Sequence, residues 1–284
     1  MPGIRDLQEK VVVITGAGSG IGRATALAFA SHGARMVLAD LDGQRATGVA
    51  AAITAEGGNA LAQEADVSDR AQVEELYKAV IDAFGDVDIL VNNAGVALGG
   101  RLEDATPADW DWVVGANFSG VVHGMQVFLP HLIKRRAGHV VNVASVAGLV
   151  PVGGCAVYSA TKHAVVGLSM AARIEMQEYN VGVTCVCPGL IRTNILTTSR
   201  FHARAEDHVT QAYLTSFMER HGLPPERVAK AILRGVRRNK GLLVVSVPAR
   251  TIWWVYRVSP WLTETFLRWA IRRFVRPRLD TPNE

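Results

Sequence analysis

Short apolar runs rich in valine and isoleucine recur along the chain, and a segment with helical periodicity separates each run from the next. The runs are apolar throughout and do not alternate between apolar and polar residues. Strands of this kind are buried on both faces, as in a parallel sheet that helices cover on both sides. The predicted strands are KVVVITG (10–16), RMVLAD (35–40), NALAQEADV (59–67), VDILVNNAG (87–95), HVVNVAS (139–145), VGVTCVCPG (181–189) and GLLVVSV (241–247).

The segments between these runs supply the crossover helices that parallel strands need. We predict helices over Ile21–His32, 43–56, 70–84, Asp109–Arg136, 157–179 and 226–238. The alternation predicts a doubly wound α/β fold of the Rossmann type, with a mostly parallel seven-stranded sheet. A ligand of such a fold binds beyond the carboxyl ends of the strands. We expect residues 1–247 to form one domain and residues 248–284 to be a C-terminal extension.

The glycine-rich loop TGAGSGIG (15–22) joins the first predicted strand to the first predicted helix. Its glycine spacing departs from G-x-G-x-x-G, but small residues there still let the backbone approach a pyrophosphate at a helix N-terminus. A glycine loop alone is weak support, since such loops also serve as plain turns; its place between strand and helix strengthens the prediction. The residues expected to contact a dinucleotide are Gly16, Ser19, Gly20, Ile21 and Gly22.

Asp40 closes the second predicted strand, 20 residues after Gly20. A carboxylate at this place can accept hydrogen bonds from the adenosine ribose and would repel a 2′-phosphate. Neither residue 19 nor residue 41 is basic. The sequence therefore favours NAD over NADP. The alternative is that Asp40 only caps a loop.

Tyr158 and Lys162 stand four residues apart in a predicted helix and so lie on one face. A phenol has a pKa of about 10, and a nearby ammonium lowers it, which would suit proton exchange with an alcohol or a ketone. A pair with this spacing is common and means little alone. Two further residues add weight, because Ser145 ends the fifth predicted strand, where ligands bind, and Asn117 offers an amide able to hold a water near Lys162.

Together these residues resemble the short-chain dehydrogenase/reductase family. The matching pieces, in the family's order, are TGAGSGIG (15–22), DV (66–67), NNAG (92–95), Asn117, Ser145, YSATK (158–162) and PG (188–189) followed by Thr193. The resemblance spans about residues 10–247. It implies an oxidoreductase that acts on a CH–OH group with a nicotinamide cofactor, and a homodimer or homotetramer formed through the helices that hold Asn117 and Tyr158.

The resemblance also implies residue roles. Tyr158 would be the general acid/base, Lys162 would modulate its pKa and bind ribose, Ser145 would bind the substrate oxygen, and Asn117 would hold a water of a proton relay. The remaining cofactor contacts would be Asp66 and Val67 at the adenine, Asn93, Ala94 and Gly95 at the adenosine, and Pro188 and Thr193 at the nicotinamide. A related possibility of another class is a catalytically silent NAD-binding scaffold that docks to a membrane or partner through its basic tail.

The family's substrate-covering segment corresponds to residues 193–224, which are mixed in character. Apolar residues there and around Tyr158 predict a hydrophobic secondary alcohol or ketone, with lipid-like and steroid-like compounds as candidates, although the same residues could equally be ordinary core. These residues are Ile195, Leu196, Phe201, Tyr213, Phe217 and Met218, with Val146, Leu149, Val152 and Val157.

Residues 248–284 leave the family pattern. Ser259 can cap a helix whose first residue is Pro260. One stripe of that helix is apolar (Leu262, Phe266, Trp269, Ala270, Phe274) and another is charged (Glu264, Arg268, Arg272, Arg276). The stretch 252–276 could therefore contact a membrane surface peripherally, pack on another subunit, cover its own pocket, or simply pack on the domain.

Charge is uneven along the chain. From Arg220 onward there are 14 Lys and Arg residues against 4 Asp and Glu, while the whole chain has 30 against 26. The main body is thus acidic, and we expect no nucleic-acid partner. The N-terminus lacks a signal-peptide pattern, and the cysteines, Cys155, Cys185 and Cys187, are odd in number, which predicts a cytoplasmic protein with buried thiols and no metal site.

Overall fold

The computed structural model describes residues 3–202 and 205–270. A seven-stranded sheet forms its centre, and all six neighbouring pairs are parallel, which confirms the predicted sheet. The strands are β1 (Val11–Thr15), β2 (Arg35–Asp40), β3 (Ala60–Glu64), β4 (Ile89–Asn92), β5 (Leu98–Gly99), β6 (Gly138–Val143), β7 (Val181–Pro188), β8 (Arg200–Phe201) and β9 (Leu242–Val245). Strands β5 and β8 pair separately, and the main order is β3-β2-β1-β4-β6-β7-β9. The order reverses between β1 and β4, where doubly wound folds bind ligands.

Helices cover both faces of the sheet. They are α1 (Gly20–Ala30), α2 (Gly43–Ala55), α3 (Arg70–Phe84), α4 (Pro107–Val114), α5 (Gly120–Arg135), α6 (Ala156–Glu175), α7 (Ala205–His221), α8 (Pro225–Arg238), α9 (Val247–Val258) and α10 (Pro260–Ala270). Apolar residues of α3, α5 and α6 share one buried cluster with one face of the sheet, and those of α1, α2 and α8 share the other. Val11 and Val13 face the first cluster, Val12 and Ile14 the second, as strand alternation requires.

The helix predicted over Asp109–Arg136 is two helices joined by a π-helical turn, Gly115–Ser119. It begins earlier than predicted because Thr106 and Asp109 form a capping box with Pro107 in the first turn. The widened turn contains Asn117, and such turns are frequent at functional sites. Helix α7 lies within residues 193–224, to which the sequence analysis assigned no helix or strand.

A buried chain of amide and hydroxyl groups fastens α6 to the sheet. Asn92 donates to Asn142 across β4 and β6 (2.9 Å), and Asn142 donates to the Ser169 hydroxyl on α6 (3.0 Å). All three side chains are buried, so loss of one partner would leave another without a hydrogen bond. These hydrogen bonds fix the position of the helix that carries Tyr158 and Lys162.

Cys185 and Cys187 lie side by side in β7, with both thiols buried and 3.9 Å between the sulfurs. The prediction that they share one strand face and are structural is confirmed. In the ranges that the structure describes, no group of three His, Cys, Asp or Glu residues is arranged to hold a metal ion.

His139, in β6, gives stability a dependence on pH. Its imidazole donates to Thr184 (2.7 Å), and burial lowers the pKa of His139 from 6.5 to about 3, with Arg173 adding to the effect. Because the unfolded chain binds the proton more tightly, this contribution to stability is complete above pH 6.5 and falls as the pH drops towards 3. At pH 5 we expect a loss of about 2 kcal/mol in the free energy of unfolding relative to pH 7.

Urea unfolding of His139→Gln at pH 7 and pH 5 measures this effect. We expect the variant to lose that part of the pH dependence, because glutamine can still donate to Thr184 without titrating. The exposed His32 provides the control: His32→Gln should show the same loss of unfolding free energy between pH 7 and pH 5 as the unmodified protein. Equal slopes for His139→Gln and the unmodified protein would contradict the assignment.

The C-terminal extension is helical as far as it is described. The Ser259 hydroxyl accepts from the Leu262 amide (3.4 Å), and α10 begins at Pro260, so the predicted cap and first residue are confirmed. Phe274, Arg272 and Arg276 of the predicted stripes lie outside the described residues. Helix α9, which the sequence analysis left unassigned, precedes α10. Among the described helices, none combines the length and apolarity needed to cross a bilayer.

Candidate active site

Ser145 and Tyr158 meet at the carboxyl edge of the sheet. Ser145 follows β6 directly and accepts from the Ala147 amide (3.1 Å), which holds its side chain at the start of a short turn. Tyr158 lies in the first turn of α6, and its phenol is close enough to the Ser145 side chain for that hydroxyl to lower the pKa of Tyr158. The structure thus brings together the two hydroxyl groups that the sequence placed far apart.

Lys162 lies one turn further along α6 and is buried. Its Nζ donates to the Val143 carbonyl oxygen (3.0 Å) and lies 5.6 Å from the centroid of the Tyr158 ring. A methyl group at Gly95 would lie 3.4 Å from the same Nζ. The ammonium is therefore placed between the tyrosine and the predicted cofactor-binding NNAG segment.

Burial dominates the titration of both groups. It raises the pKa of Tyr158 to about 12, against the lowering effect of the Ser145 hydrogen bond. It also lowers the pKa of Lys162 to about 8. The sequence analysis expected Lys162 to lower the Tyr158 pKa; desolvation of the phenol is the largest effect and acts in the opposite direction. The protein's residues hold the phenol protonated at neutral pH.

Asn117 lies in the π-helical turn and is fully buried. Its amide nitrogen donates to the Val96 carbonyl (2.9 Å) and the Thr161 hydroxyl (3.2 Å), and its amide oxygen accepts from the Val96 amide (2.8 Å). Both amide hydrogens are therefore committed to the protein, and the side chain braces the segment after NNAG against α6. Of the side-chain amide, only the oxygen is left to bind the predicted relay water.

The glycine loop turns where only glycine fits easily. Gly16 and Gly20 have positive φ (63° and 50°), and a methyl group at Gly22 would lie 2.0 Å from the Gly16 carbonyl oxygen. Ser19 is the N-cap of α1, yet its hydroxyl makes no capping hydrogen bond. The first amides of α1 and a free hydroxyl thus form a cradle for an anion. Ile21 lies half-buried within that first turn.

Asp40 supports this loop. One carboxylate oxygen accepts from the Gly18 amide (2.8 Å) and the other from the Asp42 amide (3.0 Å). The loop-capping alternative is therefore part of what Asp40 does. Each oxygen still has a lone pair for a further donor, so the capping role does not exclude a ribose contact.

Asn93 and Thr15 join the NNAG segment to the glycine loop. The Asn93 side chain donates to the carbonyl oxygens of Thr15 (2.9 Å) and Gly16 (3.0 Å), and the Thr15 hydroxyl accepts from the amides of Asn93 (3.0 Å) and Ala94 (3.1 Å). The sequence analysis missed Thr15. Its position as the last residue of β1, beside the glycine loop, was the available signal.

The remaining predicted cofactor residues lie around the same edge. A methyl group at Gly20 would lie 3.1 Å from a Thr193 side-chain carbon, which places Thr193 over the glycine loop. Pro188 ends β7, and Val67 packs on Gly120 at the end of the π-helical turn. The Asp66 carboxylate accepts from the main-chain amide and hydroxyl of Ser68 (2.8 and 2.7 Å).

A cluster on the substrate side was not predicted. Asp109 accepts from the Thr106 hydroxyl (2.6 Å) and faces His202 (3.1 Å) and Arg200 (3.7 Å), whose guanidinium lies 4.1 Å from the Trp112 ring centroid. These contacts hold β8, in the substrate-covering segment, against α4. No sequence signal linked residues about ninety positions apart.

The apolar residues that were predicted to surround the substrate differ in their environments. Val157 is buried with Leu98 and Val113 and so belongs to the core. Phe201 packs directly on Gly99 beside a shallow pocket next to Val157 and His202. Phe217 is 40% exposed and its ring centroid lies 4.7 Å from that of His221. The Tyr213 side chain lies outside the described part of the structure.

Comparison with known proteins agrees with this geometry. The family model for short chain dehydrogenase matches residues 10–203. A short chain dehydrogenase/reductase from Burkholderia phymatum, solved in complex with NAD, superimposes with a TM-score of 0.85 at 33% identity, covering 91% of this chain and 96% of that one.

Two curated relatives are also similar. "Probable oxidoreductase EphD" of Mycobacterium tuberculosis is 38% identical over 257 residues, which is 89% of this chain but only 43% of the length of that protein. The dehydrogenase subunit BbsD of Thauera aromatica, named for a hydroxy(phenyl)methyl-succinyl-CoA substrate, is 40% identical over 187 residues, or 66% of this chain and 75% of that one. The match to the family model covers most of the chain and includes the glycine loop, Ser145, Tyr158 and Lys162. The chain belongs to the short-chain dehydrogenase/reductase family.

Proposed function

We propose that this chain is an NAD(H)-dependent oxidoreductase that interconverts a hydrophobic secondary alcohol and its ketone. The observation that carries the proposal is that the Ser145 and Tyr158 hydroxyl groups lie together at the carboxyl edge of the sheet, with the Lys162 ammonium one helical turn away. Two hydroxyl groups beside a cation can bind one substrate oxygen and exchange a proton with it.

The cofactor proposal rests on the cradle at α1 and on Asp40. The uncapped Ser19 hydroxyl and the first amides of α1 would bind the pyrophosphate, and the half-buried Asp40 carboxylate would accept from the adenosine ribose. Asp66, Val67 and the NNAG segment would line the adenosine, and Pro188 and Thr193 the nicotinamide. Bound NAD would supply the hydride acceptor and a positive charge near the phenol.

The chain's own residues would handle the proton. Ser145 would donate to the substrate oxygen. During reduction the Tyr158 phenol would give its proton to the carbonyl oxygen, and during oxidation the Tyr158 phenolate would take the proton of the alcohol. Lys162 would bind ribose hydroxyls and, as a cation, favour the phenolate. Asn117 would take part through its amide oxygen or main chain, since its amide hydrogens are committed.

The substrate class rests on the apolar residues around the pocket and on one relative. Val146 and Leu149 are partly buried beside Ser145, and Phe201 lies near the shallow pocket. The Thauera relative is named as a dehydrogenase of a hydroxyl-bearing carbon that also carries a phenyl group. Residues 193–224 would cover this substrate.

We propose further that residues 1–247 are the catalytic unit and that the chain forms a homodimer or homotetramer. Exposed apolar side chains on α4 and α6, namely Trp110, Met170 and Ile174, support an interface there. The catalytically silent scaffold has no observation in its favour, because all four catalytic positions keep their residues and three of them lie together. Its peripheral membrane contact is considered separately below.

A substrate screen tests the proposed reaction. The full chain would be incubated with NAD and a panel of secondary alcohols of increasing apolar size, with NADH formation followed by absorbance. We expect turnover with kcat/KM rising along the panel. Absence of turnover in either direction with every alcohol and ketone, despite NAD binding, would overturn the proposal in favour of the scaffold.

A further inference from the structure

Helix α9 is apolar on two opposite faces. Ala249, Ile252 and Trp253 face the domain, where Trp253 packs against the core cluster of α3, α5 and α6. Trp254 and Val258 face away and are 58% and 82% exposed. Packing on the domain therefore accounts for only one of the two apolar faces, and the other is left exposed.

Helix α10 also has exposed apolar side chains. In the predicted apolar stripe of this helix, Leu262, Phe266 and Trp269 are each more than half exposed, as is Trp261. We call Trp254, Val258, Trp261, Leu262, Phe266 and Trp269 the outer apolar face. Large apolar patches left on a surface mark interaction sites.

Cations accompany the outer apolar face. Arg257 lies over the rings of Trp253 and Trp254 (5.4 and 5.6 Å), and Arg268 is exposed beside its partner Glu264 (3.5 Å). Between residues 247 and 270 there are three arginines and one acid. Tryptophan and phenylalanine with arginine at their border are the composition of helices that lie in a membrane interface.

This face adjoins the edge of the sheet that carries the candidate active site. Because β9 is parallel to β6 and β7, its carboxyl end, from which α9 starts, lies at the same edge as Ser145. The loop after β7 touches the start of α9, where a methyl group at Gly189 would lie 2.6 Å from the Ser246 hydroxyl and 3.2 Å from the Ala249 side chain. A surface bound at α9 would lie at the same edge of the sheet as Ser145.

We propose that the outer apolar face binds the surface of an anionic lipid bilayer and that the pocket draws its hydrophobic substrate from that surface. The second half rests on the proposed function, and the first half does not. A second copy of the chain is a poorer occupant, because a two-fold contact would oppose like charges from Arg250, Arg257 and Arg268 with only Glu264 to offset them. A bilayer offers both apolar depth and negative charge.

Vesicle sedimentation of the full chain tests the binding. Vesicles of phosphatidylcholine with phosphatidylglycerol are compared with vesicles of phosphatidylcholine alone, and tryptophan emission is followed in parallel. We expect binding to the anionic vesicles with a blue shift. The triple variant Trp254→Gln, Trp261→Gln and Phe266→Gln should bind at least about tenfold more weakly, with Leu41→Gln, an exposed apolar residue after β2, as the unaffected control.

The contribution of positive charge to vesicle binding is tested with a double arginine variant and an arginine control elsewhere on the surface. Arg257→Gln with Arg268→Gln should weaken binding to anionic vesicles about twentyfold, since each basic residue near such a surface contributes about fivefold. Arg70→Gln removes an arginine from an equivalent i, i+4 pair with Glu74 on α3 and should change nothing.

Three outcomes would overturn the proposal. The first is that the unmodified chain sediments with neither kind of vesicle. The second is that the triple variant binds vesicles as tightly as the unmodified chain. The third is that the unmodified chain binds no vesicles and the triple variant forms a smaller assembly in light scattering. The last would assign the face to a subunit contact. Tyr158→Phe should bind vesicles normally, so a failure of the proposed reaction and a failure of lipid binding are told apart.

Discussion

Replacing Tyr158 with phenylalanine is expected to lower kcat about a thousandfold or more while the Kd for NAD stays within about twofold. The phenol lies beside the Ser145 hydroxyl, and phenylalanine keeps the ring that Lys162 faces at 5.6 Å. The variant therefore loses the proton donor and little else. Steady-state turnover with the best substrate of the panel, together with NAD titration by fluorescence, measures both quantities.

Ser145→Ala provides the comparison for this variant. It removes a hydroxyl that binds the substrate oxygen but leaves the phenol in place, so a smaller loss, roughly ten- to a hundredfold, is expected. If Tyr158→Phe retained more than about a tenth of the activity, the proton would have to come from another group, and the assignment of Tyr158 would be wrong. Stability should change little, because the half-buried ring is preserved.

The parallel sheet could be predicted from sequence because each strand is apolar on both faces. Alternating residues of β1 serve two different core clusters, and such a strand admits no polar face. The positions of Ser145 and Asp40 followed from the same reasoning, because residues that end parallel strands collect at one edge of the sheet. The place of Tyr158 near Ser145 needed the family resemblance, since neither spacing nor propensity links them.

The sequence could not show which of several opposing interactions prevails once the chain is folded. The direction of the Tyr158 pKa shift depends on burial, which outweighs the lowering effect of Ser145, and burial is a property of the packed fold. The apolar stripe of α10 was visible in the sequence, but whether it points inward was not. The contacts of Asp109 with Arg200 and His202 join distant segments without any local pattern.

Asp40 is expected to set the choice between NAD and NADP, and its removal should reverse part of that choice. A carboxylate beside a 2′-phosphate about 4 Å away costs about 4 kcal/mol at the effective dielectric constant of a protein surface. Asp40→Asn removes the charge but keeps an oxygen that can accept from the Gly18 amide, as Asp40 does at 2.8 Å. We therefore expect the ratio of the NADPH and NADH dissociation constants to fall by close to a thousandfold, at about 1.4 kcal/mol for each factor of ten, in this variant.

Asp40→Ala separates the charge from the support of the glycine loop. It removes the same repulsion and also the acceptor for the amides of Gly18 and Asp42, so both dissociation constants should rise relative to Asp40→Asn while their ratio stays shifted. Titrating each variant with both cofactors resolves the two effects. An unmodified protein that already binds NADPH more tightly, or a ratio that Asp40→Asn leaves unchanged, would show that Asp40 only caps the loop, because a carboxylate facing the ribose must disfavour a phosphate there.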